Sequence, residues 1–387
     1  MPEWIDYILY FFLIWIIIYL GYERFGKKNK NIIVQPFQLI IRTSRLNNWI
    51  KKLASYNKSL GRKLFNLGVV VGAGLIIFIL YLLLRNLGLL FERPEQAMAI
   101  VPLVPGLTIS LKTLPYILVA LFIALITHEL AHGIAGSIDG IPIKSSGILI
   151  LAIIGGAFVE YDEDRLNKAK LMTKLRVFAA GTYANIIAFA FVTLLLMGFT
   201  LAITPFYNTN SSGVLISELV VDGPAEQAGL KEWDIIYALN GTSIEGLDGL
   251  TDYMTNIRPN TLLIANTSSG FFEIKTHPHP TNSSRAAIGI RVQQFENYEP
   301  KFNWLPRSLP YHLLMTGSWT SMILLSLAAI NMMPLYPLDG DKFLNSLFEK
   351  FLPKYSKPIR ISFNVICFII LFSNIVIYIL LFGLVRF

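Results

Sequence analysis

Most of this chain is apolar enough to lie in hydrocarbon, and one such stretch carries ionisable chemistry. Residues 114–127 (LPYILVALFIALIT) are almost wholly apolar, and the run continues past His128-Glu129-Leu130-Ala131-His132 into Gly133-Ile134-Ala135-Gly136. A bilayer core takes about 20 helical residues to cross, so the run predicts a spanning helix with an ionisable cluster inside it. Such groups at that depth are costly and usually functional. On a helix, residues four apart differ by about 40° in azimuth and about 6 Å in height. His128 and His132 therefore face the same way and can share one tetrahedral Zn²⁺, with Glu129 close enough to act on a water there. The plainer alternative is a histidine pair satisfied by neighbouring polar groups.

Six apolar runs, residues 5–22, 67–91, 114–138, 177–203, 309–333 and 359–385, are each long enough to span. With 387 residues, 54% hydrophobic and only 15% charged, the chain is too apolar for a soluble protein of its size. The first run is long for a cleaved signal and has Glu3 and Asp6 at its flank, so it reads as a retained anchor. A shorter run, residues 146–159, is β-branched and carries Gly155-Gly156, which predicts a re-entrant strand or loop buried against protein. Glu160, Asp162, Glu163 and Asp164 then mark its return to the cytoplasm. The single cysteine, Cys367, excludes a disulfide framework and a thiolate zinc site.

The net charge of +8 does not point to nucleic acid, because the basic residues cluster beside the apolar runs. Residues 24–63, 165–176 and 342–360 are strongly basic and belong in the cytoplasm. Both termini and everything from Thr204 to Leu309 then lie outside, and the HExxH falls towards the cytoplasmic end of its helix.

The outside region, residues 205–306, changes character. Short β-branched runs at 213–221, 234–240, 261–265, 271–276 and 287–292 are separated by Gly, Asn, Pro and Ser. Asn210, Asn240, Asn266 and Asn282 head N-x-S/T sequons. Gly213-Val214-Leu215-Ile216, Gly223-Pro224-Ala225, Ala228-Gly229-Leu230, Asp234-Ile235-Ile236 and Asn240-Gly241 resemble the core pattern of a PDZ domain, with Trp233 where that pattern usually has Gly. An unrelated β-rich domain is the alternative.

A hydrolytic zinc site usually has a third protein ligand. His277, His279 and His312 fall at the outside end, on the wrong side for His128. Asp339 fits. It follows the fifth run in Asn331-Met332-Met333-Pro334-Leu335-Tyr336-Pro337-Leu338-Asp339-Gly340. Pro334 and Pro337 cannot continue a regular helix, and Gly340 would allow a tight turn that presents the carboxylate. An ordinary turn at a membrane exit is the competing reading. HELAHG, then Gly181-Thr182-Tyr183-Ala184-Asn185 matching GxxxN, then NxxPxxxLDG resemble, in that order, the site-2 protease family of intramembrane metalloproteases. Thr182 stands where that family often has Pro, and the resemblance runs from about Val101 to Lys342.

That resemblance implies a polytopic α-helical membrane protein, with about six spans, a re-entrant segment and an inserted extracytoplasmic α+β PDZ-like domain. It divides into residues 1–110 (first spans and basic loop), 111–204 (HExxH and GxxxN), 205–306 (PDZ-like) and 307–387 (NxxPxxxLDG and last span). It implies His128, His132 and Asp339 as ligands of one Zn²⁺ and Glu129 as the catalytic glutamate. Asn185 would orient substrate or the oxyanion, and Asn331 would support the unwound segment, unless either simply ties helices together. Gly181, Pro334 and Gly340 are supporting positions. The partners implied are single-pass transmembrane proteins and the lipid bilayer, with no nucleic acid. The PDZ-like domain would take a carboxyl-terminal peptide or act as a size filter. The compact outside region favours a prokaryotic cell membrane over an organelle. Competing classes are a catalytically silent scaffold presenting the PDZ-like domain, which leaves Glu129 without a use, and a transporter, which would show repeats.

Overall fold

The long apolar runs fold as helices because a segment in hydrocarbon must satisfy its own backbone groups. The computed structural model describes residues 3–27, 29–208, 213–280, 282–292 and 298–384. Among these, six helices are long and apolar enough to cross a membrane, and the chain is a polytopic helical membrane protein. It divides into two units, residues 1–194 with 316–387, and residues 195–315.

The first unit begins with α1 (Glu3–Gly21), β1 (Ile32–Gln35), β2 (Gln38–Arg42), α2 (Ser44–Tyr56) and the long α3 (Lys58–Glu92). Then come α4 (Leu114–Ile138), β3 (Ile143–Leu151), β4 (Ile154–Tyr161), the short α5 (Glu163–Asn167) and α6 (Leu171–Met197). The bounds of α4 are those of the HELAH run. Helix α6 starts six residues before the expected Val177, because Leu171, Met172 and Leu175 extend its apolar run past Lys174 and Arg176.

The segment expected as a re-entrant strand or loop is a hairpin, β3–β4, inside a four-stranded antiparallel sheet ordered β1-β2-β3-β4. Strands β1 and β2 come from the stretch that sequence alone assigns to a basic loop; Gln38 pairs with Leu151 and Arg42 with Gly147. Gly147 belongs there because a Cβ would run into the Ile41 carbonyl. Gly155 and Gly156 let β4 lie along α4, where added Cβ atoms would sit 3.4 Å from Phe122 and 3.0 Å from Leu125.

The second unit contains α7 (Phe199–Ile203), β5 (Tyr207–Asn208), β6 (Val214–Leu215), β7 (Glu218–Leu219), α8 (Pro224–Gln227), β8 (Ile235–Leu239) and β9 (Thr242–Ser243). Helix α9 (Gly246–Thr255) follows, then β10 (Leu262–Thr267), β11 (Gly270–Lys275), β12 (His277–His279), β13 (Asn282–Ala287), β14 (Ile290–Arg291) and β15 (Glu299–Pro300). Four of the expected β-branched runs supply strands of a sheet ordered β11-β10-β8-β6, while the fifth, residues 287–292, supplies β14, which pairs with β7. Their inward residues, Val214, Ile216, Ile236, Leu239, Leu263 and Ile274, form one apolar core. Asn210, a sequon position, lies outside the described residues.

Trp233 has φ 73°, a left-handed conformation that costs a non-glycine residue about 1–2 kcal/mol. Its ring packs 5.1 Å from Tyr311 and 5.0 Å from His312, and that contact gives a tryptophan a use where the pattern usually has glycine. The chain closes with α10 (Leu309–Asn331), α11 (Asp339–Phe351) and α12 (Ser356–Phe382).

Candidate metal centre

The i, i+4 spacing on α4 does bring its two histidines together. His128 Nε2 and His132 Nε2 are 3.0 Å apart, and both rings are buried. Asp339, at the start of α11, places Oδ2 3.1 Å from His128 Nε2 and 3.0 Å from His132 Nε2. These are the three groups that share one buried metal-ligand cluster among the described residues.

Two imidazole N–H groups aimed at one carboxylate oxygen would crowd each other, whereas two lone pairs and a carboxylate fit a cation among them. Tetrahedral zinc with bonds of about 2.0–2.1 Å sets its ligand atoms roughly 3.3 Å apart, close to the separations seen. His132 Nδ1 donates to the Val177 carbonyl of α6 at 2.6 Å, which fixes the tautomer and leaves Nε2 free as a ligand. The donor set fits Zn²⁺.

Asp339 reaches this position by a different route from a turn. It opens a 13-residue helix, and Gly340 has an ordinary helical backbone. Glycine is required because a Cβ there would collide with the carbonyls of Met332 and Met333. The broken segment between α10 and α11 therefore folds back on the new helix, with Pro334 buried in it. Asp341 then fixes α11 to α12. Its buried carboxylate takes Arg360 Nε at 3.0 Å and Nη2 at 2.5 Å, and Asn364 Nδ2 at 2.8 Å.

Gly181 of GxxxN has an equally specific reason. A Cβ there would come within 2.5 Å of the His128 ring, so the glycine makes room for a ligand. Asn185, four residues on and hence on the same face of α6, is fully buried with neither amide atom hydrogen-bonded. It is not among the residues lining the adjoining cavity, whereas Asn331 is.

That cavity, about 670 Å³, is lined by His128, Glu129, His132 and Asp339 on one side and by Val159, Glu160 and Tyr161 of β4 on another. Glu129 is half-buried at its wall. Glu160 and Glu163, expected merely to mark a membrane exit, also line it, while Asp162 caps α5 by accepting from the Arg165 amide. Tyr161 is the residue that sequence reasoning missed. Its hydroxyl is buried with no hydrogen-bond partner. Burial, with Glu129 and Asp339 nearby, pushes it well above the usual tyrosine range, so it remains an O–H donor. Its ring packs on Gly136 of α4, where a Cβ would sit 2.8 Å from Cε1. A tyrosine just after an apolar glycine-bearing run was the available signal.

Residues 116–373 match the sequence model of Peptidase family M50. Over 352 residues the chain is 27% identical to an uncharacterised protein of Methanocaldococcus jannaschii, covering 87% of this chain and 84% of that one. It is 28% identical over 209 residues to a membrane-bound transcription factor site-2 protease homolog of Arabidopsis thaliana, covering 53% of this chain and 40% of the relative. Among solved structures, the PDZ domain of an SdrC-like protein from Listeria innocua is matched over 22% of this chain and 97% of that domain, with 21% identity and a TM-score of 0.19. Because the family match covers most of the sequence and takes in the histidine pair, Glu129 and Asp339 together, the chain belongs to peptidase family M50, the site-2 proteases.

Proposed function

We propose that this protein is a zinc metalloprotease that hydrolyses peptide bonds within transmembrane segments of other membrane proteins. The observation that carries it is the His128–His132–Asp339 cluster, with Glu129 on the same cavity wall, in a helix apolar enough to span a membrane. Zinc held there would polarise the scissile carbonyl and make water a nucleophile near neutral pH.

The residues of the chain supply the rest. Glu129 is not a ligand. It takes a proton from the attacking water and delivers it to the leaving nitrogen as the C–N bond breaks. The Tyr161 hydroxyl donates to the oxygen on which negative charge develops. Asn185, unpartnered and buried one helical turn from Gly181 but outside the cavity lining, would reach substrate backbone only on a shift of its side chain. A substrate helix hides its carbonyls in intrahelical bonds and must unwind first. In the four-stranded sheet β4 is the terminal strand, and its Val159–Tyr161 end borders the cavity, so an unwound segment can add to its edge. Asn331 supports the segment that carries Asp339.

The basic stretches put Lys51, Lys168 and Lys354 in the cytoplasm and residues 205–306 outside. There, the PDZ-like pattern around Gly213–Ile216 suits either capture of a newly made carboxyl terminus or exclusion of bulky substrates. The cell compared should be the one that carries the gene. Quantitative proteomics of membrane-protein stubs, native against Glu129→Gln, should show uncut stubs accumulating in the variant and their cleaved fragments only in the native strain, because loss of a general base costs about 10²–10⁴-fold. Equal stub profiles would defeat the protease reading. For sidedness, a cysteine replacing exposed Ser283 should react with an impermeant thiol reagent in intact cells and one replacing Lys354 should not; the reverse pattern would invert the topology.

A further inference from the structure

Helix α2 carries two apolar faces, and the protein covers one of them. Ile50 and Ala54 are buried. A Cβ on Gly133 of α4 would lie 3.1 Å from the Ile50 side chain, so this face packs on the helix of the metal cluster, one residue from His132. The second face is a stripe of Trp49, Leu53 and Tyr56, at i, i+4 and i+7 and hence on one side. These side chains are 50%, 47% and 92% exposed. Arg45 and Lys52, one turn from Trp49 in either direction, edge the stripe and are exposed, whereas Lys51 points to the opposite side of the helix. No Asp or Glu occurs from Arg24 to Phe91. Asn57 alone separates α2 from α3, one of the apolar helices long enough to span, so the stripe is continuous along the chain with a lipid-facing helix.

We propose that α2 is an interfacial helix that docks on the anionic phospholipid headgroups of the leaflet it meets. Trp49, Leu53 and Tyr56 enter the acyl boundary, where amphipathic aromatic rings are favoured, and Arg45 and Lys52 at the edge of the stripe face the phosphates. Helices of this kind bind by buried apolar area plus attraction to anionic lipid. A consequence rests on the protease reading: with Ile50 seated on Gly133, docking of α2 steadies the helix that carries His132, so leaflet charge raises turnover.

The full chain with Leu53→Cys in a Cys367→Ala background, labelled with a fluorescent maleimide, can be placed in nanodiscs. Half of the discs contain brominated phosphatidylglycerol in phosphatidylcholine, the others brominated phosphatidylcholine with the same fraction of plain phosphatidylglycerol. The brominated anionic lipid should quench several-fold more strongly, each basic residue near an anionic surface being worth about fivefold in local lipid. The preference should vanish in Arg45→Gln, Lys52→Gln and persist in Lys51→Gln, on the opposite side of the helix. Equal quenching by both lipids, a preference unchanged in the double variant, or a probe quenched by neither lipid and shielded by a second copy would overturn the proposal. Quenching needs no catalysis, which separates this test from that of the protease reading. In discs with and without phosphatidylglycerol, cleavage of a transmembrane peptide should rise several-fold with the anionic lipid only in the native helix; lipid-selective quenching with indifferent turnover would overturn the coupling to α4.

Discussion

The two units of this chain put polar and apolar groups in opposite places. In residues 195–315, Ile216, Ile235, Leu239 and Leu263 are fully buried while His277, Asn282 and Arg285 face outwards. In the other unit, Ile77, Phe78, Phe191 and Leu194 are exposed, and His128, His132, Asp339, Asp341, Asn86 and Asn374 are buried. The first pattern follows from water: burying apolar area there is worth about 25 cal/mol per Å². Between helices in lipid that drive is missing, and association depends on close packing and polar ties. Asn86 of α3 donates to Asn374 of α12 at 3.0 Å. Asp139, at the end of α4, joins Arg62 of α3 at 2.9 Å and Arg176 of α6 at 2.6 Å. Glycines fill the remaining role, with Gly68 set against Tyr183 and Gly72 against Ala179 and Met332. In the membrane unit, then, the groups that hold the helices together are of the same kind as those that make the site, and small changes there should be chemical in effect. In the other unit they should be merely structural.

The largest expected effect removes the cluster. His128→Ala with His132→Ala should take the purified protein from about one zinc per chain to none, measured by mass spectrometry of the metal, and bring peptide cleavage below detection. Full zinc content in the double variant would separate these histidines from metal chemistry and leave them as helix ties like Asn86 and Asn374.

Next is Tyr161→Phe, which deletes one buried oxygen and no packing. Loss of a donor to a developing oxyanion costs about 10²–10³-fold in kcat, with KM and zinc content nearly unchanged. An unaltered kcat would show the hydroxyl to be a bystander in the wall.

A smaller effect is expected from Gly181→Ala, whose added methyl meets the His128 ring at 2.5 Å. Displacing a ligand's support typically costs about 10–100-fold in metal affinity, readable by competition with a chelator. Gly72→Ala is the control: its nearest neighbour is the end of the flexible Met332 side chain at 3.0 Å, and its zinc affinity should stay near native. Equal behaviour of the two variants would mean that Gly181 is an ordinary helix-packing glycine.

How much of this could be read in the sequence depends on how local the cause is. Helix α4 and its histidine pair follow from a periodicity within 25 residues, and two prolines announced the break before Asp339. In the second unit β6, β8, β10 and β11 follow their own β-branched runs, whereas β5, β9, β12 and β15 fall outside them. The four-stranded sheet could not be read that way, since β2 pairs with a strand more than a hundred residues away, and neither partner signals the other. For the same reason Tyr161 was missed and Gly340 was explained by a turn: what matters in each case is a neighbour supplied by the fold, the Met332 carbonyl for Gly340 and the Glu129–Asp339 cavity for Tyr161.

The smallest effect should come from the largest change. Every described residue that lines the cavity belongs to the unit of residues 1–194 and 316–387, and the apolar core of the other unit is built from its own strands and helices. Replacing residues 211–292 with a short flexible linker should therefore leave zinc at about one per chain. Cleavage of a bare, helix-destabilised transmembrane peptide should stay within about tenfold of native, because loop closure by a longer or shorter connection changes its cost only slowly with length. Discrimination should change instead. A substrate with a bulky extracytoplasmic domain, refused by the native protein, should be cut by the linker variant, since a filter acts on entry and leaves the bond-breaking step alone. The comparison to make is the ratio of kcat/KM for the bulky and the bare substrate in the two proteins. If the linker variant holds zinc and spans the membrane but cannot cut the bare peptide, the second unit is part of the catalytic machinery, and the division between a chemical unit and a structural one fails.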